Sequence, residues 1–229
     1  MGLATACGAR EYAAEATEAT VIDAATKRPV AGALVIARWV AKGGGGFHAA
    51  RDMGSVEVME TLTDDAGRFR FPAWGPKSYQ GSGVLMDDDP LILVFKRGYE
   101  LAHLANSQYR VPPSKDFRSH KTGPVRASLW NEQVVDLKPF TRGDKAFVAD
   151  VYARFVMSDL WPMFAESTPC DWQRLPRSIA YLEREKKAYV AQGADADSTL
   201  SIRDQLVMNE SSFARKGCGS PRAYLKEAP

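Results

Sequence analysis

Apolar side chains change their spacing once along this chain, near residue 140, and that change limits what it can fold into. Before it, the recurring step is two. In "RFRF", Phe69 and Phe71 alternate with Arg68 and Arg70, the pattern of a strand with one face buried and the other in water. Val56, Val58 and Leu62 alternate in the same way with Glu57, Thr61 and Thr63, although Glu60 interrupts the apolar face. Between these runs stands "DDAG". Asp64 and Asp65 are suited to hydrogen-bond the backbone of a tight turn and Gly67 to take its positive φ, so a β-hairpin is expected, with its arginines as the solvent face. "GALVIARWV" and "PLILVF" are almost continuously apolar, as in strands covered on both faces, and "EQVVDLKPF" supplies a last strand.

Beyond Phe140 the step becomes four. Phe147, Val151 and Phe155 form one such series, and Val148, Tyr152 and Val156 another, the stripe of an amphipathic helix capped by Asp144 and stopped by Pro162. "RSIAYLEREKKAYVAQG" predicts a second helix, with Ile179, Leu182, Tyr189 and Val190 inward and Glu183 placed four residues before Lys187. "DSTLSIRDQLVMNESSFARKG" predicts a third, with Ser198 as cap and Ile202, Leu206 and Phe213 inward. Trp161, Phe164 and Trp172 cluster at the first bend, where they either lock the corner or, if exposed, offer a protein-binding patch. The expected fold class is α+β, an antiparallel β-sandwich over residues 20–140 followed by a helical region over 141–229.

With 229 residues, 45% of them apolar, the chain has material for a medium domain and a smaller companion. Thirty basic residues against 28 acidic leave a net charge of +2, which gives no global field of the kind that draws nucleic acid. No apolar run approaches the roughly 20 residues of a membrane-spanning helix.

The series "VIDAATKRPVAGALVIA", "TLTDDAGRFRFP" and "LILVFKRGYE" resembles the carboxypeptidase regulatory-like domain, a transthyretin-like β-sandwich. Pro29, Gly32, Ala33, Thr63, Asp65, Gly67, Phe69, Phe71, Gly98 and Tyr99 occupy the matching places, between about Thr20 and Pro139. The resemblance implies the sandwich fold and an accessory role beside a peptidase, a receptor, a sugar-binding array or a membrane anchor. Intradiol ring-cleaving dioxygenases and hydroxyisourate hydrolases share this general scaffold. The former hold iron with two Tyr and two closely spaced His, whereas His48, His103 and His120 are not near neighbours here; the latter end in Tyr-Arg-Gly-Ser, whereas this chain ends in "AYLKEAP". No metal or other cofactor is expected.

The start of the chain, "LATACGA", resembles the lipobox read by bacterial lipoprotein signal peptidase, with Cys7 as the lipidation site and Ala4 where Leu is usual. Only Met1–Ala6 precede Cys7, so a longer leader is expected upstream; the alternative is an ordinary cysteine in a terminal segment. Residues 1–19 would then be anchor and tether. Cys170 and Cys218 remain as an even pair, either a disulfide in an oxidising compartment or two separate thiols.

Three insertions stand out. Gly43–Gly46 lack the Lys-Ser or Lys-Thr of a phosphate loop and suit a hairpin tip. Asp87, Asp88 and Asp89 are adjacent, so their side chains diverge and a solvated turn is expected in place of a calcium loop. Tyr109–Arg126 carries Arg110, Lys115, Arg118, His120, Lys121 and Arg126 against the single Asp116, a candidate contact for an anionic polymer, a lipid head group or an envelope protein; the alternative is a solvated loop. The function expected is a non-catalytic, lipid-anchored cell-envelope protein on the periplasmic face of a bacterial membrane. A metal-dependent hydrolase or oxygenase on the same scaffold is the alternative.

Overall fold

A computed structural model describes residues 10–44, 51–81, 83–86, 89–106, 125–164, 170–193 and 201–227. Eleven strands are described. β3 (Leu34–Gly43) is the axis of a five-stranded sheet of order β4-β3-β8-β9, with β7 also paired to β3; the partners are β4 (Arg51–Leu62), β7 (Val84–Leu85), β8 (Leu91–Phe95) and β9 (Ala102–Leu104). The other strands are β1 (Arg10–Ala14), β2 (Thr17–Asp23), β5 (Arg68–Phe71), β6 (Trp74–Tyr79), β10 (Val125–Arg126) and β11 (Val134–Leu137). They make two three-stranded sheets, β10-β1-β6 and β11-β2-β5.

β3 is buried along most of its length because it is covered twice. Val35, Ala37 and Trp39 point into a core shared with Tyr12, Val21, Phe69 and Phe71 of the three-stranded sheets. Leu34 and Ile36 point the other way, with Leu93, Phe95 and Val58, into a core shared with the helices. Each face follows from the two-residue alternation of a strand. The molecule is thus a β-sandwich with a helical layer on its outer face, and helices and sheet share one core. Phe95 stacks on Phe155 with ring centroids 4.6 Å apart.

The hairpin between β4 and β5 turns as expected. Gly67 has φ 73°, Phe69 and Phe71 are buried, and Arg68 and Arg70 are exposed. The turn is held by Asp64, whose Oδ1 accepts from the amides of Ala66 and Arg68 at 2.9 and 2.8 Å. Thr63 Oγ1 donates to Val30 O at 2.6 Å and accepts from Ala33 N at 2.8 Å. Tyr99 donates to Asp23 Oδ2 at 2.9 Å. Of the residues that carry the resemblance, Thr63 and Tyr99 therefore fasten turns to neighbouring segments, while Phe69 and Phe71 fill the core.

Several expectations are corrected. The sandwich is not wholly antiparallel: β10 runs parallel to β1 and β11 parallel to β2. Both late strands pair with strands from the start of the chain, so each parallel pair is joined by far more chain than a hairpin, as parallel pairing requires. Residues 10–19, expected as tether, form β1 and the start of β2, and Tyr12 and Ala14 are buried. At the end of β4 the alternation slips, so that Leu62 is exposed and Thr63 buried. Asp89 is buried instead of solvated, its two oxygens accepting from Val40 N and Met86 N, each at 3.0 Å.

The helices are α1 (144–164), α2 (Pro176–Ala191), α3 (Ile202–Met208), α4 (Glu210–Arg215) and α5 (Pro221–Glu227), with a 3₁₀ turn over Asp171–Arg174. Among the described residues, no helix is long and apolar enough to cross a membrane. Phe164 and Trp172 are fully buried, so this aromatic corner locks the helices in place. The cap of α3 is Ser201, whose hydroxyl accepts from Asp204 N at 3.1 Å; Ser198, the expected cap, lies outside the described residues. Val190, expected inward, is exposed, while Tyr181 and Glu185 of the same helix are buried. Glu183 accepts from Ser201 Oγ at 2.6 Å, an oxygen brought to it by the start of α3.

Cys170 and Cys218 are joined by a disulfide with Cα atoms 5.2 Å apart. It ties the 3₁₀ turn to the end of α4, and Gln173 Nε2 donates to Cys218 O beside it.

Candidate functional site

α1 is not a plain α-helix. Val148–Tyr152 and Phe155–Leu160 are wound as π-helix, an arrangement found mostly as short bulges and frequently at functional sites. At about 3.6 residues per turn, positions nine apart lie on opposite faces of a helix. The wider winding turns less per residue, and it brings Asp150, Arg154 and Asp159 to the same groove. The buried positions follow the same step: Val148, Tyr152, Val156, Leu160 and Phe164 are all buried, a run of fours longer than an α-helical stripe holds in line.

The groove has a volume of about 620 Å³, within the range of small-molecule sites. One wall is α1. The other comes from the chain around β9 and the segment before α1, with Glu100, His103 and Arg142. Leu101, Phe140 and Val151 supply its apolar surface. Two polar pairs bridge the walls: His103 Nε2 lies 3.1 Å from Asp159 Oδ1, and the Arg142–Asp150 ion pair has Nη1 2.8 Å from Oδ2. The Arg142 guanidinium also sits 4.9 Å over the Phe140 ring. Chemically, the arrangement offers an oriented imidazole, guanidinium and carboxylate groups of both signs, and an apolar floor, which suits recognition of a small charged molecule.

Sequence reasoning placed the site elsewhere. Arg110, Lys115, Arg118, His120 and Lys121 lie outside the described residues, as do Cys7 and His48. Arg126 is described, and it is buried on β10. Its Nη2 donates to Leu85 O at 2.9 Å and its guanidinium lies 5.7 Å over the Tyr12 ring. The groove residues escaped notice because they come from segments some 50 residues apart. The available signal was the sustained step of four in α1, which departs from the α-helical period.

A second polar cluster lies at the five-stranded sheet's β4 edge. Arg38, in the middle of an apolar run, is buried with Nε donating to Ser55 Oγ at 3.2 Å and Nη1 3.5 Å from Asp52 Oδ2. Burial pushes the Asp171 carboxyl up to about 6, against the pull of the Ser55 hydroxyl and the Arg38 and Lys77 charges. Glu57 bridges Lys77, at 3.0 Å, and Arg174. These groups fasten the 3₁₀ turn to β4, the edge strand of this sheet. Among the described residues, no group of three His, Cys, Asp or Glu side chains is arranged to hold a metal ion.

The geometry defines a class: a mixed α+β protein, a β-sandwich backed by helices, with a charged groove at the helix–sheet boundary. No family model matches the chain, and no curated protein matches it. Among solved structures, the backbone protein of group B streptococcus pilus 2b is similar at 10% identity and a TM-score of 0.26, over 56% of this chain and 42% of that one. A likeness at that level carries no argument about fold or role, and the match spans less than half of that protein's length.

Proposed function

We propose that this is a non-catalytic binding protein of a bacterial cell envelope, held on the periplasmic face of a membrane by lipid on Cys7. The observation that carries the reading is the Cys170–Cys218 disulfide, because such bonds persist in oxidising compartments. With these two paired, Cys7 is the odd cysteine, and its lipobox-like surroundings give it a use. The resemblance to carboxypeptidase regulatory-like domains supports the same reading, since the residues that carry it fasten turns or fill the core and hold no reactive group. The basic stretch with Arg110, Lys115, Arg118, His120 and Lys121 is a further contact for an envelope protein or an anionic polymer.

Cell fractionation with a radiolabelled fatty acid tests the assignment. The full-length protein is expected in the membrane fraction, carrying label that Cys7→Ser abolishes, with Cys170 and Cys218 unreactive to maleimide until reduced. Recovery from the cytosol with two reactive thiols overturns it. The hydrolase or oxygenase alternative is favoured by one observation, the His103–Asp159 pair. Stoichiometric bound iron or zinc, or a turnover lost in His103→Ala, would move the function to that class.

A further inference from the structure

We infer that the groove between α1 and the β9 wall takes a small zwitterion, a molecule carrying a carboxylate and an ammonium together with an apolar portion, such as a free amino acid or short peptide. The inference rests on the reading of this protein as a binding module. It follows from the pairing of charges in the groove. Four of the six ionisable side chains that line it are already engaged with one another, His103 with Asp159 and Arg142 with Asp150. Arg154 and Glu100 remain, of opposite sign, and neither has an ion-pair partner among the described residues. A guanidinium matches a carboxylate in a planar, two-point contact, and a carboxylate matches an ammonium.

The apolar surface of Leu101, Phe140 and Val151 receives the rest of the molecule. Arg142 contacts Phe140 as well as Asp150, two contacts that favour one orientation of this part of the wall and so lower the ordering cost of binding. A polyanion is disfavoured here. It would meet Glu100, Asp150 and Asp159 together with the cations, and like charge close by costs affinity. The π winding of α1 belongs to the same argument, because it places Arg154 between Asp150 and Asp159 on one wall.

The test uses the full chain and three probes: alanyl-phenylalanine, its N-acetyl derivative and its C-terminal amide. Two-dimensional amide NMR is expected to show shifts confined to residues 100–103 and 140–159 on addition of the free dipeptide. Acetylation or amidation should each weaken binding by about tenfold or more, the scale of one lost charge-assisted contact. Arg154→Gln is expected to erase the preference over the amide, and Glu100→Gln the preference over the acetylated form. Both side chains are exposed, so folding should survive, as circular dichroism will report. No shifts at millimolar dipeptide, equal affinity for the three probes, or preferences unchanged in both variants overturns the inference. Free amino acids appearing in the same spectra would instead overturn the non-catalytic reading, while the affinities still decide the ligand class.

Discussion

The Glu60 carboxylate on β4 accepts the Ser178 amide at 2.7 Å and the Ser178 hydroxyl at 2.6 Å, and also accepts the Arg177 amide, so a strand residue caps a helix 118 positions later. The residue before α2, Leu175, provides no side-chain cap. The free amides of a first helical turn need acceptors, and a negative charge there also interacts favourably with the positive end of the helix dipole. Burial pushes the Glu60 carboxyl up, and the donors pull it back only in part. The residue that breaks the apolar alternation of β4 is therefore what joins sheet to helix.

Glu60→Ala should cost roughly 2 kcal/mol, the upper end of measured cap losses, because two amides and a hydroxyl lose their acceptor at once. Urea unfolding followed by far-UV circular dichroism checks this. A loss under about 0.5 kcal/mol would show that water replaces the carboxylate at little cost.

Two glycines provide a matched comparison. Gly67 and Gly98 have φ of 73° and 81°, where any L side chain is strained by roughly 1–2 kcal/mol. A Cβ on Gly67 would also lie 2.3 Å from Val21 O, whereas one on Gly98 would meet nothing within 4 Å. Gly98→Ala is expected to cost only the strain. Gly67→Ala should cost clearly more, since relief of the clash would disturb the Val21 N to Gly67 O bond at 2.8 Å. Equal denaturation midpoints for the two variants would contradict this account.

How much of this was legible follows from range. Alternation in "RFRF" and turn chemistry in "DDAG" are local, so the hairpin, its exposed arginines and the positive φ of Gly67 were readable. The nearly continuous apolar run of β3 correctly implied cover on both faces. Arg38 and Glu57 were unreadable as buried charges, because their partners Asp52, Ser55 and Arg174 come together only when β4 and the 3₁₀ turn meet. Ser198 and Ser201 are equally good caps on paper, and tertiary contact with Glu183 marks the second. In the groove, charges that look like an ordinary solvated helix face pair instead with the β9 wall.

The disulfide closes 48 residues. On the chain-entropy account such a loop contributes about 4 kcal/mol, by restricting the unfolded chain. Reduction with dithiothreitol, or paired Cys170→Ser and Cys218→Ser substitution, should lower the urea midpoint by a comparable free energy and leave the helical content at neutral pH unchanged. Trp172 is fully buried against Phe213 and Tyr224, and this packing is expected to persist in the reduced protein. Loss of near-UV aromatic signal in the reduced protein under native conditions would show the opposite, that the covalent tie is what holds this corner.

Stability should rise as the solution is made mildly acidic, and Asp89 is the main reason. Burial pushes its carboxyl up to about 7, although Val40 N and Met86 N donate to it and the charges of Arg126 and Lys42 favour ionisation. Its folded pKa thus lies above its unfolded value, so between them the folded state binds the extra proton. The associated stability is fully present below the ordinary aspartate range and is lost as pH rises through about 7. It amounts to a few kcal/mol in gross terms, at about 1.4 kcal/mol per unit. Asp171, raised to about 6, adds in the same direction over a slightly lower window. Urea midpoints should therefore be higher at pH 5.5 than at pH 8. Asp89→Asn is neutral at both and keeps one acceptor for Val40 N, so it should remove most of the difference while leaving the smaller components of Asp171 and of Glu60, whose carboxyl burial also raises. A wild-type midpoint that falls on acidification would mean that the two backbone donors and Arg126 outweigh burial, and that Asp89 is ionised in the folded protein throughout this range.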